Sequence, residues 1–442
     1  MTATLDPDRL ETVFPDKKPL YPEGEARAEA ERCLYCVDAP CIKACPTEID
    51  IPTFIKKIAS GNVRGAAQTI FAQNLLGYSC ARVCPVEVLC EGSCVYNAWE
   101  REPIKIGRLQ RYATDAVMDP STAPIFSPKP RTTGRKVALI GAGPASLACA
   151  GYLALEGVEA VIFEKRPVSG GLNTWGIAPY KLKADDALLE ISWIERMGVE
   201  IRHGVEIGRD ITGAQLLDQY DAVFIGVGLG DDTRLGIPGE DGPGVMGAVA
   251  WIEEMKLHMK RGTRIGRVIV VGGGNTAIDV ARECASLGGA EVSMVYRRGH
   301  EQMSGYVHEM MGARKERVRL IEHTQPVAVL RGAGGDVTGL RCVRTEGGKN
   351  VAGSDHDIPC DLVAVAIGQS KLRAVARELP GVALDARGCV VCDPTTGRTG
   401  NPKVYSGGDC TNGGKEVVNA VADGRNAART MLAAFAGQSG AG

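Results

Sequence analysis

The chain has 442 residues, and its 51 Lys and Arg nearly balance its 53 Asp and Glu, so the formal net charge at pH 7 is −2. A chain of this length can form about two or three domains, and its balanced charge gives no electrostatic reason to bind nucleic acid or an anionic membrane surface. Aromatic residues make up only 5%, which disfavours a base-stacking surface, and no apolar run reaches the ~18 residues of a membrane-spanning helix.

Residues 1–125 combine a helical pattern of apolar residues with two groups of cysteines. These cysteines are Cys33, Cys36, Cys41, Cys45, Cys80, Cys84, Cys90 and Cys94. The N-terminus has no apolar signal-peptide core, so we expect a cytoplasmic protein. In that compartment disulfides are rare and dense cysteines more often hold metal. Iron–sulfur clusters, structural zinc and disulfides all remain open at this point.

The segment IDIPTFIKKIASGNVRGAAQTIF predicts helical structure, because its apolar residues recur at helical spacing and Pro52 closely follows Asp50, as at a helix start. Residues 118–134 are rich in Pro, Ser and Thr and predict a linker.

The next segment, KVALIGAGPASLACAGYLALEGVEAVIFEK, predicts a strand, a glycine turn, a helix and a second strand. Gly141 allows the tight turn, and Gly143 lets the backbone approach a pyrophosphate at the helix N-terminus. Ser146 replaces the usual third Gly or Ala. Glu164 ends the second strand, where an acid accepts hydrogen bonds from ribose hydroxyls. This order of elements predicts a dinucleotide site.

A second unit of the same kind reads RVIVVGGGNTAIDVARECASLGGAEVSMVYRRG. Gly272, Gly274 and Ala277 fill its three small-residue positions. Its second strand ends in Arg297 and Arg298 rather than in an acid, and guanidinium groups pair with a 2′-phosphate. We therefore expect NADPH rather than NADH, unless the two arginines only solvate a strand end.

The C-terminal segment VYSGGDCTNGGKEVVNAVADGRNAA fits the returning half of a flavin domain. It places Asp409 after a strand and a helix N-terminus near Val417, facing the flavin. The apolar runs at residues 222–228 and 362–368 predict strands that cross between the two domains. We expect an α/β fold in which an all-α iron–sulfur domain precedes two nested Rossmann-like domains for FAD and NAD(P)H.

The predicted boundaries are 1–125 for the helical domain, 126–232 and 367–442 for the two halves of the FAD domain, and 233–366 for the NAD(P)H domain. A flavin–nicotinamide module favours iron–sulfur clusters over zinc at the cysteines, because clusters accept single electrons and zinc has no redox states.

Over essentially its whole length the chain resembles the flavin-containing subunit of bacterial NAD(P)H-dependent dihydropyrimidine dehydrogenases. The segments that carry this resemblance are RCLYCVDAPCIKACP, DIPTFI, GNVRGAAQTIFAQNLLG, CARVCP, EPIKIGRLQRYATD, GAGPAS and IFEK. The glutamate synthase small subunit and the NADPH–ferredoxin oxidoreductases are similar more distantly.

The resemblance implies two [4Fe–4S] clusters with different ligand sets. One cluster would bind Cys33, Cys36, Cys41 and Cys94. The other would bind Cys45, Cys84, Cys90 and Gln110. Cysteine counting alone would have chosen Cys80 in place of Gln110.

The resemblance also implies contacts to both dinucleotides, and it identifies no catalytic side chain. It places flavin contacts at Ala142, Gly143, Pro144, Ala145, Ser146, Glu164, Gly171, Leu172, Lys181 and Asp409, and the pattern of the C-terminal segment adds Gly408 and Val417. Contacts to NADPH are expected at Gly273, Gly274, Asn275, Thr276, Arg297, Arg298, Ala366 and Gly368. Ser304 stands where the animal enzyme carries a further arginine, so NADH remains an alternative.

The function implied is that of an electron-input subunit, which oxidises NAD(P)H at FAD and passes electrons through two clusters. The partner would be a separate subunit with FMN and iron–sulfur clusters, in a heterotetramer, that reduces uracil or thymine. The alternative is the small subunit of a glutamate synthase-like or NADPH–ferredoxin oxidoreductase complex. No nucleic-acid or membrane partner is expected.

Overall fold

The computed structural model describes residues 5–439, apart from the side chains of residues 438 and 439. The helices of the N-terminal region are Glu23–Glu31 (α1), Pro40–Lys43 (α2), Ile51–Ala59 (α3), Val63–Gln73 (α4), Gly77–Val83 (α5) and Ile106–Met118 (α6). Short 3₁₀ turns occur at Leu10–Val13, Val86–Val88 and Val95–Trp99.

The segment after Asp50 forms two helices, α3 and α4. The Asp50 carboxylate caps α3 by accepting a hydrogen bond from the Thr53 N–H at 3.2 Å. Gly61 then adopts a φ of +80°, which ends α3, and Asn62 caps α4 by accepting from the Gly65 N–H at 2.9 Å. The apolar face of α3 is buried in the core of the helical domain.

The strands are Lys136–Ile140 (β1), Glu159–Glu164 (β2), Glu200–His203 (β3), Ala222–Ile225 (β4), Val245–Gly247 (β5), Arg267–Val271 (β6), Glu291–Val295 (β7), Arg319–Ile321 (β8), Thr324–Arg331 (β9), Val337–Glu346 (β10), Lys349–Asn350 (β11), His356–Pro359 (β12), Leu362–Val365 (β13) and Val404–Ser406 (β14). The later helices are Pro144–Leu155 (α7), Leu172–Trp175 (α8), Ala184–Glu195 (α9), Gly213–Gln219 (α10), Ala248–Leu257 (α11), Asn275–Ser286 (α12), Val307–Lys315 (α13), Arg373–Arg377 (α14), Asp409–Asn412 (α15) and Val417–Ser439 (α16).

Two parallel sheets form the α/β part. The first has the strand order β14-β4-β1-β2-β3 and the second has the order β5-β13-β6-β7-β8, and a smaller antiparallel sheet of β9 to β12 is inserted in the second. The chain leaves the first sheet after β4 and returns to it at β14, so the second sheet is nested within the first. The predicted fold class is therefore confirmed, while the residue boundaries of the domains remain a prediction.

The helical domain docks on the first α/β domain through a buried carboxylate. Glu190 of α9 accepts hydrogen bonds from the N–H groups of Tyr78 and Ser79, at 2.9 and 3.2 Å, and so caps the start of α5. Burial raises the pKa of Glu190 to about 7, although the bonds from Ser79 oppose that shift. This contact fixes the position of α5, which carries Cys80, relative to the sheet.

No helix within residues 5–439 has both the length and the apolar character needed to cross a membrane.

Candidate cofactor sites

Four cysteines of the helical domain line one cavity. Cys33, Cys36, Cys41 and Cys94 line a pocket that is partly open to solvent, with a volume of about 380 Å³ that includes part of this opening. The rest of the lining is mainly apolar, and it includes Ile51, Ile55, Tyr96, Ile104 and Ile106. Burial, with the neighbouring thiols, raises the pKa of Cys41 to about 12. The Cys41 thiol therefore needs a bound cationic centre to become a thiolate at neutral pH.

A second group of thiols lies deeper in the domain. Cys45, Cys80 and Cys90 are buried, and a hydrogen bond with Cys80, together with burial, raises the pKa of Cys84. Burial raises the pKa of Cys90 as well, with contributions from Glu91 and from the Cys84 and Cys45 thiols. The structure thus brings Cys45, Cys84 and Cys90 together, and it also brings Cys80 next to Cys84.

Gln110 is buried on α6, and its side-chain amide has a fixed orientation. Its Nε2 group donates a hydrogen bond to the Gly77 carbonyl at 2.8 Å. Within the described residues, no hydrogen bond involves its amide oxygen, so that oxygen is available as a ligand atom. Whether Gln110 or Cys80 completes the second set remains a prediction.

The spacing of the thiols bears on the choice between zinc and iron–sulfur clusters. A tetrahedral zinc site with Zn–S bonds of about 2.3 Å holds its sulfurs only about 3.8 Å apart. Within residues 5–439, no three cysteine sulfurs all lie within 4.8 Å of one another. All 15 cysteines of the chain are free thiols, so the disulfide alternative is wrong for this structure. Among these described residues, the thiols thus do not already form a tetrahedral zinc site.

The first glycine turn follows β1 and leads into α7. Gly141 has a φ of +87°, and a Cβ there would lie 3.0 Å from the Gly226 carbonyl oxygen, so this position requires glycine. The predicted flavin-contacting residues Ala142, Gly143, Pro144, Ala145 and Ser146 form this turn and the first residues of α7. Ser146 fits at this position because its neighbour Gly226 has no side chain. A Cβ at Gly226 would lie only 2.2 Å from the Ser146 Oγ.

Glu164 lies at the end of β2, beside the same turn. Its carboxylate accepts hydrogen bonds from the Ala142 N–H at 2.7 Å and the Arg166 N–H at 2.8 Å. The structure therefore brings Glu164 to the turn, as the motif predicts, and its ribose contact remains a prediction.

Two further segments reach the same edge of the first sheet. Gly171, with a φ of +54°, begins α8 so close to the turn that a Cβ would lie 3.1 Å from the Gly143 Cα, and Leu172 follows it. Gly408 lies against Ala145 from the opposite side, because a Cβ there would lie 3.1 Å from that of Ala145.

Asp409 follows Gly408 and is held in place by the backbone. It accepts a hydrogen bond from the Lys415 N–H at 3.0 Å, and burial raises its pKa. Val417 begins α16 soon after. These positions agree with a site that surrounds a flavin from both halves of its domain.

Lys181 lies where the two α/β domains meet. Its Nζ is 2.7 Å from Asp279 of α12 and 3.0 Å from Glu309 of α13. Glu309 also pairs with Lys17 of the N-terminal segment, at 2.5 Å. Sequence reasoning missed this ion network, because its members come from three distant segments and no motif connects them.

The second glycine turn leads from β6 into α12. A Cβ at Gly272 would lie 2.3 Å from the carbonyl oxygen of Ala366, so the predicted position Ala366 lies beside this turn, and Gly368 follows two residues later in the chain. Gly273 and Gly274 complete the turn, and Asn275 and Thr276 begin α12. Asn275 accepts a hydrogen bond from the Tyr306 N–H at 2.9 Å.

Arg297 and Arg298 are exposed immediately after β7. The Arg298 guanidinium lies 5.4 Å from the centre of the Tyr296 ring. Neither arginine pairs with a carboxylate among the described residues. Both guanidinium groups are therefore available to a phosphate.

Comparison with known proteins agrees with this geometry. Residues 135–424 match the family described as pyridine nucleotide-disulphide oxidoreductase. The chain belongs to this family. Residues 10–122 of this oxidoreductase match a second family, described as dihydropyrimidine dehydrogenase domain II, 4Fe–4S cluster.

Among curated relatives, this oxidoreductase is 37% identical to the glutamate synthase [NADPH] small chain of Escherichia coli (strain K12), over 96% of this chain and 97% of that one. It is 38% identical to the small chain of the same name from Halomonas elongata, over 93% of this chain and 91% of the relative.

Two solved structures resemble this oxidoreductase in fold alone. Thioredoxin reductase of T. acidophilum has a TM-score of 0.55 and 22% identity, and the match covers 68% of this chain and 99% of that one. Mycobacterium tuberculosis FprA in complex with NADPH has a TM-score of 0.54 and 21% identity, and the match covers 71% of this chain and 86% of that one.

The two family matches confirm the cofactor classes expected from the sequence. This protein is an oxidoreductase that uses FAD, NADPH and 4Fe–4S clusters. Which residue contacts which cofactor stays a prediction.

Proposed function

We propose that this chain is the electron-input subunit of a glutamate synthase-type complex, which takes reducing equivalents from NADPH and supplies them to a larger partner subunit. The observation that carries the proposal is the end-to-end match to glutamate synthase small chains, over 96% of this chain and 97% of the Escherichia coli protein. This match favours the alternative drawn from the sequence over a dihydropyrimidine dehydrogenase subunit.

Two sets of donors in the helical domain would hold two clusters. Cys33, Cys36, Cys41 and Cys94 would hold the first, and the shared cavity supports this grouping. Cys45, Cys84, Cys90 and Gln110 would hold the second, supported by the burial of Cys45, Cys90 and Gln110 and by the oriented Gln110 amide. The first set lies at a mainly apolar but half-buried pocket, whereas Cys45 and Cys90 of the second set are buried.

The two glycine turns would hold the dinucleotides. The N–H groups at the starts of α7 and α12 would bind the pyrophosphates of FAD and NADPH, and Arg297 and Arg298 would bind the 2′-phosphate. When bound, NADPH supplies a hydride, FAD accepts it as an electron pair, and the clusters carry electrons singly.

A comparison of the isolated chain with the assembled complex tests the proposal. The anaerobically purified chain should reduce an artificial electron acceptor with NADPH. It should support NADPH-dependent glutamate formation only when a glutamate synthase large subunit is added. Glutamate formation by the chain alone, or none with any such partner, would contradict the proposal.

A second candidate, the dihydropyrimidine dehydrogenase subunit, rests on the match of residues 10–122 to domain II of that enzyme. In that case an added FMN- and iron–sulfur-containing subunit, in a heterotetramer, should give NADPH-dependent reduction of uracil or thymine. The two candidates therefore differ in which partner restores which product.

A further inference from the structure

Helix α16 connects the two proposed cofactor regions. It begins at Val417 on the flavin side and packs tightly on α7, since a Cβ at Gly424 would lie 2.1 Å from the Ala145 carbonyl oxygen. The next residue, Arg425, points from this contact into the helical domain.

The Arg425 side chain is buried, with 2% of its surface exposed. Its Nη1 group donates hydrogen bonds to the Thr47 carbonyl at 2.5 Å, the Gln73 carbonyl at 3.2 Å and the Gln73 Oε1 at 3.0 Å. Among the described residues its ion pair is with Glu48, at 3.8 Å, and that side chain is 70% exposed. Arg425 is therefore a buried cation with several carbonyl partners and no buried counter-charge.

The contacts of Arg425 lead directly to a proposed ligand of the second cluster. Thr47, whose carbonyl it binds, has its Oγ1 atom 3.4 Å from the Cys45 Sγ. Burying a cation whose ion-pair partner is exposed to solvent is unfavourable, and carbonyl dipoles offset only part of that cost. A negatively charged centre at Cys45 would supply the missing counter-charge.

A second cation, Lys18, lies near the second group of cysteines, but a carboxylate lies close to it. Lys18 donates a hydrogen bond to the Cys84 carbonyl at 2.7 Å. A Cβ added at Gly107 would lie 3.4 Å from the Lys18 Nζ and 3.5 Å from the Glu91 Oε1, so both charged groups lie beside Gly107. The nearby buried Glu91 offsets the charge of Lys18, whereas the charge of Arg425 is not offset in this way.

We propose that Arg425 is a positioning residue whose positive charge favours reduction of the second cluster. This cluster is then the preferred electron acceptor on the flavin side of the helical domain. The inference rests on the ligand set in the proposed function. A bound cluster that accepted one electron from NADPH-reduced flavin would become one unit more negative without taking up a proton. The guanidinium stabilises that added charge through the medium of low dielectric between α16 and Cys45.

Redox titrations of the anaerobic holoprotein, followed by electron paramagnetic resonance, test the inference. In Arg425→Gln the equilibrium for reducing the second cluster should become about tenfold less favourable, a fall of about 59 mV for one electron. Arg425→Lys should restore most of the loss. The matched control is Arg429→Gln, because Arg429 is exposed one turn further along α16 and contacts Gln73 at 3.3 Å.

Gln73→Glu provides a second variant in case Arg425→Gln assembles poorly. It keeps Arg425 and places a carboxylate against it at the position of the Gln73 Oε1, so the cluster should again be harder to reduce, by at least threefold. An unchanged midpoint potential in Gln73→Glu, or in an assembled Arg425→Gln, would overturn the inference.

The wild-type titration separates this inference from the proposed function. If the wild-type protein has two reducible clusters but the variants leave the midpoint potential of the second cluster unchanged, only the role of Arg425 is overturned. A wild-type protein without a second cluster overturns the ligand set, and the inference with it.

Discussion

Arg297 and Arg298 give a direct test of the nucleotide preference at the residue scale. In Arg297→Gln and Arg298→Gln the KM for NADPH should rise roughly 10- to 100-fold, because a charge-assisted hydrogen bond contributes about 1.5–3 kcal/mol. The measurement is steady-state reduction of an artificial acceptor at varied NADPH.

NADH provides the control for both variants, because it lacks the 2′-phosphate. Its KM should stay within about twofold of the wild-type value. Equal losses for NADPH and NADH would mean that the arginines support the fold of this strand end rather than the phosphate.

Gln110 and Cys80 form a second residue-scale test. We predict that Gln110→Ala loses one of the two clusters, so that iron per flavin falls by about half, and that Cys80→Ala keeps its full iron. The reason is that Gln110 has a free amide oxygen held in place by its bond to the Gly77 carbonyl. Iron and acid-labile sulfide assays on anaerobically purified protein check it, and the reverse pattern would make Cys80 the ligand.

The crossing of α16 and α7 carries a prediction at the element scale. Gly424→Ala should destabilise the protein by roughly 1–3 kcal/mol and lower its flavin content, because the new methyl group would lie 2.1 Å from the Ala145 carbonyl oxygen. The control is Gly437→Ala on the same helix, where nothing lies within 4 Å of the new Cβ.

The control variant should be neutral, or more stable by up to about 1 kcal/mol, from helix propensity alone. Thermal unfolding and bound flavin would be measured together for both variants. Equal thermal stability and equal flavin content in the two variants would contradict the close contact between Gly424 and the Ala145 carbonyl oxygen.

The ion network around α13 carries a second prediction at this scale. Burial alone would raise the pKa of Glu309, but Lys181 and Lys17 outweigh it and lower the pKa to about 2. Because the folded-state pKa lies below the ordinary value near 4.5, this carboxylate stabilises the fold above that pH. The stabilisation is lost as the pH falls toward 2.

Glu309→Gln should therefore cost roughly 3–5 kcal/mol at pH 7, because it removes the buried carboxylate shared by Lys17, Lys181 and Arg282 and leaves Lys17 without its carboxylate partner. Glu316→Gln is the matched control, since Glu316 pairs with Arg282 at 2.7 Å but is 31% exposed. Denaturant unfolding at pH 7 compares the two, and a smaller loss for Glu309→Gln than for Glu316→Gln would contradict this account.

At the scale of the whole molecule, the parts predictable from sequence are those fixed by local backbone geometry. Gly141 and Gly272 have positive φ values and lie against carbonyl groups, so their turns could be recognised from the residues alone. The break between α3 and α4 at Gly61 was not predicted, because the apolar spacing continues across it.

Contacts between distant segments carried no such signal. Arg425 reaches Thr47, and Lys17 reaches Glu309, across hundreds of residues. The division of the cysteines is a similar case. Their spacing alone predicted metal binding without dividing them, whereas the family resemblance grouped Cys94 with Cys33, and the structure places both at one cavity.

The central claim is that NADPH oxidation and one-electron carriers coexist in this one polypeptide. Its most direct test is anaerobic titration of the purified chain with NADPH, without any partner. We predict that the visible absorption of the flavin bleaches and that the signal of a reduced iron–sulfur cluster then appears. Protein that contains iron and flavin but shows neither change on adding NADPH would contradict the account.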